Sequence, residues 1–268
     1  VKMKKRQTGV AISFVDACLS RGKVAFPLAE LIATTGLSTI AAKGQLLRLG
    51  ECVIRVSPRQ PFYLIVAPEH RVIGAPPVYC WLEDYFAWLG CPYYVALQSA
   101  ASLFGSNPQA LQVTQVMIEH PHRPLKVGRV QVRFFVKRGI ERTPSQQISR
   151  SPAPLRVSTP EATVFDLIRY AASIGGVERS VETIRPLLPL FRVRELKRVL
   201  DAENELATTQ RLGYIFEMLG AYRMGEVARA WLPAKLMPIP LIPCRGDYKT
   251  SAVVARWQVF NNSKELSL

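Results

Sequence analysis

Residues 37–66 read LSTIAAKGQLLRLGECVIRVSPRQPFYLIV, and the fold of the N-terminal third turns on this stretch. Ser38 suits a helix N-cap, because its short hydroxyl can accept from a free N–H of the first turn. Apolar or small residues then recur at Leu37, Ile40, Ala41, Gly44 and Leu47. That is the i, i+3, i+4 spacing of an amphipathic helix with those positions inward, and Gly50 closes it. Residues 52–56 and 62–66 are β-rich runs, and the proline-containing turn 57–61 between them predicts a hairpin.

Working upstream, Ser13 is placed to cap a first helix with Phe14, Val15, Cys18 and Leu19 inward and Gly22 at its end. Pro27 fits the first turn of a second helix, with Leu28, Leu31 and Ile32 on one face and Gly36 as terminator. Short helices joined by a glycine-containing turn and followed by a hairpin predict a winged helix-turn-helix over residues 1–70. In such a module a helix enters the major groove, and its outward side chains meet base edges and phosphates. The outward positions read from the pattern are Ser38, Thr39, Ala42, Lys43, Gln45 and Arg48. Gln45 suits adenine, and Lys43 and Arg48 suit guanine or backbone. Ser38 and Thr39 sit at the helix N-terminus, which favours a phosphate. Arg55 and Arg59 on the hairpin and Lys4, Lys5 and Arg6 on the N-terminal arm neutralise phosphates.

The charge map agrees with that reading. Of 268 residues, 35 are Lys or Arg and 20 Asp or Glu. Residues 1–77 carry +7, residues 78–119 carry −3, residues 120–156 carry +8, and the remainder carries +3. Two separate basic concentrations imply an acidic partner such as DNA. In the second of them Arg129, Arg133, Lys137 and Arg138 are expected to line a positive surface, with strand spacing along residues 129–137.

Proline and glycine at residues 66–77 read as a linker, and residues 142–154 as a second loop-rich region. The expected division is therefore residues 1–70 and 78–268. At 49% hydrophobic and 21% charged residues, the chain is no disordered or collagen-like polymer. No apolar run approaches a membrane span and no signal peptide is evident, so a soluble cytoplasmic protein is expected. The five cysteines are scattered and complete no zinc spacing with the three histidines, which fits buried thiols in a reducing cytosol.

The second part holds YYVALQSAASLFG at 93–105, VSTPEATVFDL at 157–167 and QRLGY at 210–214. Residues 93–104 read as a close-packing helix ended by Gly105, and residues 112–119 and 130–136 as paired strands. Thr159 is a good N-cap, with Pro160 in the first turn and Glu161 favouring the positive helix end. Residues 177–188, 193–206 and 208–219 read as three further helices, and residues 252–260 as a terminal strand. The whole is an α+β protein: a winged helix-turn-helix, then a mixed domain with a small sheet and a helical C-terminal bundle.

These three motifs, in this order behind such an N-terminal module, resemble the AbiEi family of antitoxins, over roughly residues 10–235. The resemblance implies a bacterial type IV toxin–antitoxin component linked to abortive phage infection. Its N-terminal domain would bind inverted repeats in its own promoter and repress the operon. Its C-terminal domain would oppose a nucleotidyltransferase-like toxin, with direct toxin binding not required. Ser158, Thr159, Pro160, Glu161, Asp166, Gln210, Arg211 and Gly213 carry over as signature residues. Capping, packing and a buried ion pair, for instance Arg211 with Asp166 or Glu161, account for their chemistry. The departures from the family are the long hairpin turn at 57–61 and the proline-rich tail after Trp231.

Two other functions stand beside this one. A stand-alone winged-helix regulator needs the same N-terminal module and no toxin. A nuclease needs clustered carboxylates for a metal ion. Yet Glu161 and Asp166 lie about 140° apart on a helix, Glu141 is the sole acid in the basic segment, and His120-Pro-His122 reads as a turn. No catalytic residue, metal site, cofactor or membrane partner is expected.

Overall fold

The computed structural model describes residues 9–106, 112–150, 153–243, 251–263 and 265–266, with the backbone alone at 150 and 153. The N-terminal elements are α1 (Val10–Ser20), β1 (Ala25–Pro27), α2 (Leu28–Thr35), α3 (Thr39–Arg48), β2 (Val53–Ser57) and β3 (Gln60–Ile65). The three strands form an antiparallel sheet in the order β1-β3-β2. Alternation along β3 buries both of its faces. Tyr63 and Ile65 join Phe14, Cys18, Leu31, Ala42 and Leu46 under the helices. Phe62 and Leu64 face the other way and share a core with Trp81, Leu82 and Tyr85.

Several local expectations shift. Helix α1 starts three residues ahead of Ser13, which lies exposed within it. Gly9 occupies the cap position, and the free N–H of Ala11 is satisfied from α3, where Gln45 Oε1 accepts it at 2.8 Å. Ser38 does cap α3, accepting from Ala41 N at 3.2 Å. The helix, however, is rotated from the face read in the sequence. Ala42 and Leu46 are buried, while Ile40 and Leu47 are 85% and 83% exposed. The hairpin turn is also tighter than residues 57–61, because Ser57 pairs Gln60 beyond a bulge after Arg55.

Residues 66–77, expected as a linker, are packed in place. Ala75 is fully buried, and the Arg129 N–H donates to Ile73 O at 2.8 Å. Gly128 permits this approach: it has φ +57°, and a Cβ there would strike Ile73 O and Gly74.

Next come α4 (Leu82–Leu89), β4 (Tyr93–Val95), α5 (Leu97–Leu103), β5 (Val113–Ile118), β6 (Leu125–Val127), β7 (Val130–Val136), β8 (Ser145–Arg150) and β9 (Ala153–Ser158). They build a six-stranded sheet in the order β6-β7-β5-β4-β9-β8. Residues 93–104 are therefore not one helix. The β-forming Tyr93, Tyr94 and Val95 enter the middle of the sheet, and the chain turns sharply into α5 through Leu97 at φ +55°. A leucine in this left-handed region is held there by the neighbouring amides. Gln115 Oε1 accepts from Gln98 N, and Ser99 Oγ accepts from Gln115 N. The region 142–154, expected as loop, contributes the β8–β9 hairpin.

The C-terminal elements are α6 (Pro160–Arg169), α7 (Val177–Ile184), α8 (Val193–Glu203), α9 (Leu206–Met218) and α10 (Tyr222–Trp231). They are followed by β10 (Ile239–Pro240), β11 (Val253–Val254) and β12 (Val259–Phe260), a small sheet in the order β10-β12-β11. The helices pack on one face of the six-stranded sheet around Phe165, Leu196, Leu200, Leu212 and Phe216. The protein is α+β, and among the described residues no helix is long and apolar enough to cross a membrane.

Candidate functional site

Four exposed cations of the N-terminal part lie on α3 and on the hairpin that follows it in the chain. Lys43 and Arg48 project from α3, and Arg55 and Arg59 from the β2–β3 hairpin; all four are exposed. Arg55 is steadied by Gln60 O, 3.3 Å from Nε, and by the ring of Tyr63. Ser38 and Thr39 are exposed at the start of α3. Lys4, Lys5 and Arg6 lie outside the described residues. Two of the positions read as outward are not. Ala42 is fully buried, and Gln45 is turned inward with its amide oxygen engaged on α1. Both follow from the rotation of α3, a phase that a ten-residue pattern with leucines at 46, 47 and 49 does not resolve.

The second basic segment divides as well. Arg129 and Arg138 are exposed, as is Arg133, which reaches Ser173 O at 3.3 Å and lies over Phe135. Lys137, expected on the same surface, is 2% exposed. The strand face carrying Arg133, Phe135 and Lys137 runs under α6 and α8, so the alternation is real but helices cover its far end. Lys137 Nζ stands 2.8 Å from Asp166 Oδ1, 2.6 Å from Glu203 Oε1 and 3.1 Å from the Tyr94 hydroxyl. Tyr94 donates to Asp166 Oδ2 at 2.8 Å, and Thr143 donates to Glu203 Oε1. Arg169 closes the cluster on Glu203 and Glu205. Burial raises the Asp166 carboxyl above the usual aspartate range, and Lys137 works against that rise. A lysine, two acids and a tyrosine with so little solvent access form a buried cluster that ties the sheet to the helices.

This cluster explains two of the sequence motifs. Tyr94 of the first and Asp166 of the second are partners across the sheet–helix interface. In the second motif Thr159 caps α6 at Ala162 N, and Ser158 Oγ bonds Thr163 Oγ1 at 2.7 Å. Glu161 accepts from Arg192 N at 2.7 Å and so caps α8 from outside; its burial raises its carboxyl pKa. The third motif clamps the tail. Gln210 Nε2 donates to Met237 O and Trp257 O, and Arg211 Nε to Pro240 O. Arg211 thus holds the Pro240 carbonyl, and Asp166, one of the acids expected to pair with it, is paired with Lys137 instead. Gly213 leaves room for the buried indole of Trp257, which a Cβ would strike.

His122 is a joint between the N-terminal hairpin and the second part. Its Nδ1 lies 2.7 Å from Arg123 O, which assigns the proton to Nδ1 and leaves Nε2 to accept from Gln60 Nε2 at 3.2 Å. Tyr85, whose hydroxyl burial pushes up to about 12, donates to Gln60 Oε1 at 2.9 Å. Beside this joint an open, mostly apolar cavity of about 650 Å³ is lined by residues including Phe86, Leu89, Cys91, Ile118, His120 and Arg142. Among the described residues no three His, Cys, Asp or Glu side chains are grouped to hold a metal ion. Cys18 is buried, Cys52 and Cys80 are half-buried and Cys91 is exposed, all as free thiols; Cys244 lies outside the described residues.

The central sheet, the α6–α9 bundle and the Tyr94–Asp166 pairing define an α+β domain bounded by its own motifs. Residues 93–218 match the model of the AbiEi antitoxin C-terminal domain, so this stretch of the chain carries that family's antitoxin domain. Among solved structures the chain is similar to the RV2827C protein from Mycobacterium tuberculosis, at 17% identity and a TM-score of 0.66. That likeness, one of fold, covers 96% of this chain and 92% of the other. An antigenic nucleotidyltransferase-like protein from Paracoccidioides brasiliensis aligns at 9% identity over 59% of this chain and 93% of its own. Its TM-score of 0.38 is below that of a shared fold. Among curated proteins none matches the chain significantly.

Proposed function

We propose that this protein is the antitoxin of a type IV toxin–antitoxin system, opposing a nucleotidyltransferase-like toxin in the bacterial cytoplasm and repressing its own operon. The observation that carries the reading is the AbiEi antitoxin domain at residues 93–218. In this reading the two jobs divide along the chain. Residues 1–70 are a winged helix-turn-helix that binds inverted repeats in the promoter, with α3 in the major groove and the β2–β3 hairpin as the wing. Residues 78–268 carry the protective activity without catalysis of their own. The exposed Arg129, Arg133 and Arg138 form the basic surface of that second part; Lys137 serves its interior.

On the DNA side, Lys43, Arg48, Arg55 and Arg59 supply phosphate and base contacts, joined by Ser38 and Thr39 and by Lys4, Lys5 and Arg6 of the arm. Gln45 holds the start of α1 and is left out of base reading. The second part shares a core with β3, so full-length variants test the division of labour better than truncations, which would strip Trp81 and Tyr85 of their cover.

The experiment is titration of the duplex upstream of the protein's own reading frame with the full-length chain, over a range of salt. Changing Lys43, Arg48, Arg55 and Arg59 together to Ala is expected to abolish specific binding. Removing any one phosphate-neutralising side chain should lower the salt slope by about 1. The fourfold variant is expected to protect cells from the toxin as wild type does. A wild-type chain that binds no duplex would overturn the repressor half, leaving the antitoxin half to its own test.

A further inference from the structure

Helix α3 carries a face that its own fold does not use. Ile40 and Leu47, 85% and 83% exposed, are the most exposed of the large apolar side chains among the described residues. At 100° per residue, Gly44 stands about 40° from Ile40 and Leu47 about 20° from it, so the three form one stripe opposite the buried Ala42 and Leu46. Lys43 lies on its edge and is exposed.

Gly44 is the second observation. Glycine is among the poorest helix formers, and an interior helical glycine calls for a reason. No reason lies among the described residues: Gly44 has ordinary helical geometry, and a Cβ there would meet none of them within 4 Å. What an absent side chain does at this spot is let a partner's surface come close to the helix backbone.

We infer that Ile40, Gly44 and Leu47 form an apolar reading strip for the 5-methyl groups of thymines in the major groove, an inference that rests on the DNA-binding reading of α3. Charge complementarity selects duplex DNA as the occupant. Residues 39–48 hold no acid, Lys43 and Arg48 flank the strip, and Arg55 and Arg59 stand on the adjoining hairpin. A second copy of this face would set those cations against their own kind. The thymine methyl is the apolar feature of the major groove, and aliphatic side chains recognise it by contact. Ile40 and Leu47 are about 10 Å apart along the axis, which spans roughly three base steps. The bound half-site is therefore expected to present thymines about three steps apart, with Lys43 between them.

The test uses the full-length chain and the duplex upstream of its own reading frame, prepared with thymine and with deoxyuridine, which lacks only the 5-methyl group. Wild type should bind the deoxyuridine duplex more weakly, by about four-fold for each buried methyl removed. The I40A/L47A variant should bind the thymine duplex more weakly and lose nothing further on the deoxyuridine duplex. G44A should unfold at a higher temperature than wild type and yet bind DNA less tightly, two effects of opposite sign that a structural role would not produce. Equal deoxyuridine penalties in wild type and I40A/L47A, or no penalty in wild type, would overturn the inference while leaving DNA binding intact. So would an I40A/L47A chain that keeps its DNA affinity but changes its oligomeric state or loses toxin protection, since the strip would then face protein. Failure of wild type to bind any duplex would remove the inference together with the reading beneath it.

Discussion

Lys137 Nζ and Asp166 Oδ1 are 2.8 Å apart, with the two side chains 1% and 0% exposed. One directly follows β7, the other lies in the middle of α6, so this pair ties the sheet to the helical bundle. Removing one member of a buried ion pair strands the other, which costs about 3–5 kcal/mol. Lys137→Ala is expected to lose that much in urea unfolding of the full chain. Arg129→Ala and Arg138→Ala, from the same basic segment but exposed, should stay within about 0.5 kcal/mol of wild type. Equal, small effects at all three positions would contradict the placement of Lys137.

Gly213 and Trp257 give a second prediction. Any Cβ at position 213 overlaps the indole, and overpacking of this kind costs about 1–3 kcal/mol. Gly213→Ala is expected to push Trp257 from its site and shift its fluorescence to the red. Gly213→Ala combined with Trp257→Ala should show less than additive loss, because the clash is already relieved. Strict additivity would mean that the two residues do not touch.

Gln45 separates two roles by experiment. Its amide oxygen caps α1 at Ala11 N, and loss of a helix cap costs about 1 kcal/mol. Gln45→Ala should therefore lower stability by about that amount while the preference for particular bases in the operator stays as it was. A variant of wild-type stability with relaxed preference at an adenine would return Gln45 to the groove.

Glu119 sets a pH dependence. Its carboxylate accepts from Gly139 N at 2.9 Å and Ile140 N at 3.2 Å, and these amides hold its pKa below the usual glutamate range. A depressed folded pKa adds stability that is present above the unfolded pKa of about 4.3 and is lost as pH falls through the folded value. Glu119→Gln should remove that part of the acid-limb dependence and leave the limb shallower. An acid limb of unchanged slope would show that the two amides do not favour the charged form.

What the sequence shows and what it hides differ in kind. Helix ends marked by capping chemistry, at Ser38, Thr159 and Gly36, stand where local rules put them, because capping depends on a few neighbouring atoms. The rotation of α3 is not legible, since leucines at 46, 47 and 49 satisfy more than one helical phase and only the packing against α1 chooses. Lys137 misleads for a related reason: strand alternation names a face, but which stretch of that face helices cover is settled elsewhere in the chain. The strand at residues 93–95 hides behind the small residues that follow it. The motifs are legible as markers of family, and their partnership, Tyr94 with Asp166 and Gly213 with Trp257, needs the third dimension.

The most direct test of the central claim is growth of cells that co-express the full-length chain with the nucleotidyltransferase-like toxin gene of its own operon. Growth is expected to be restored, and restored equally by the chain in which Lys43, Arg48, Arg55 and Arg59 are Ala. Toxicity that neither chain relieves would contradict the antitoxin reading.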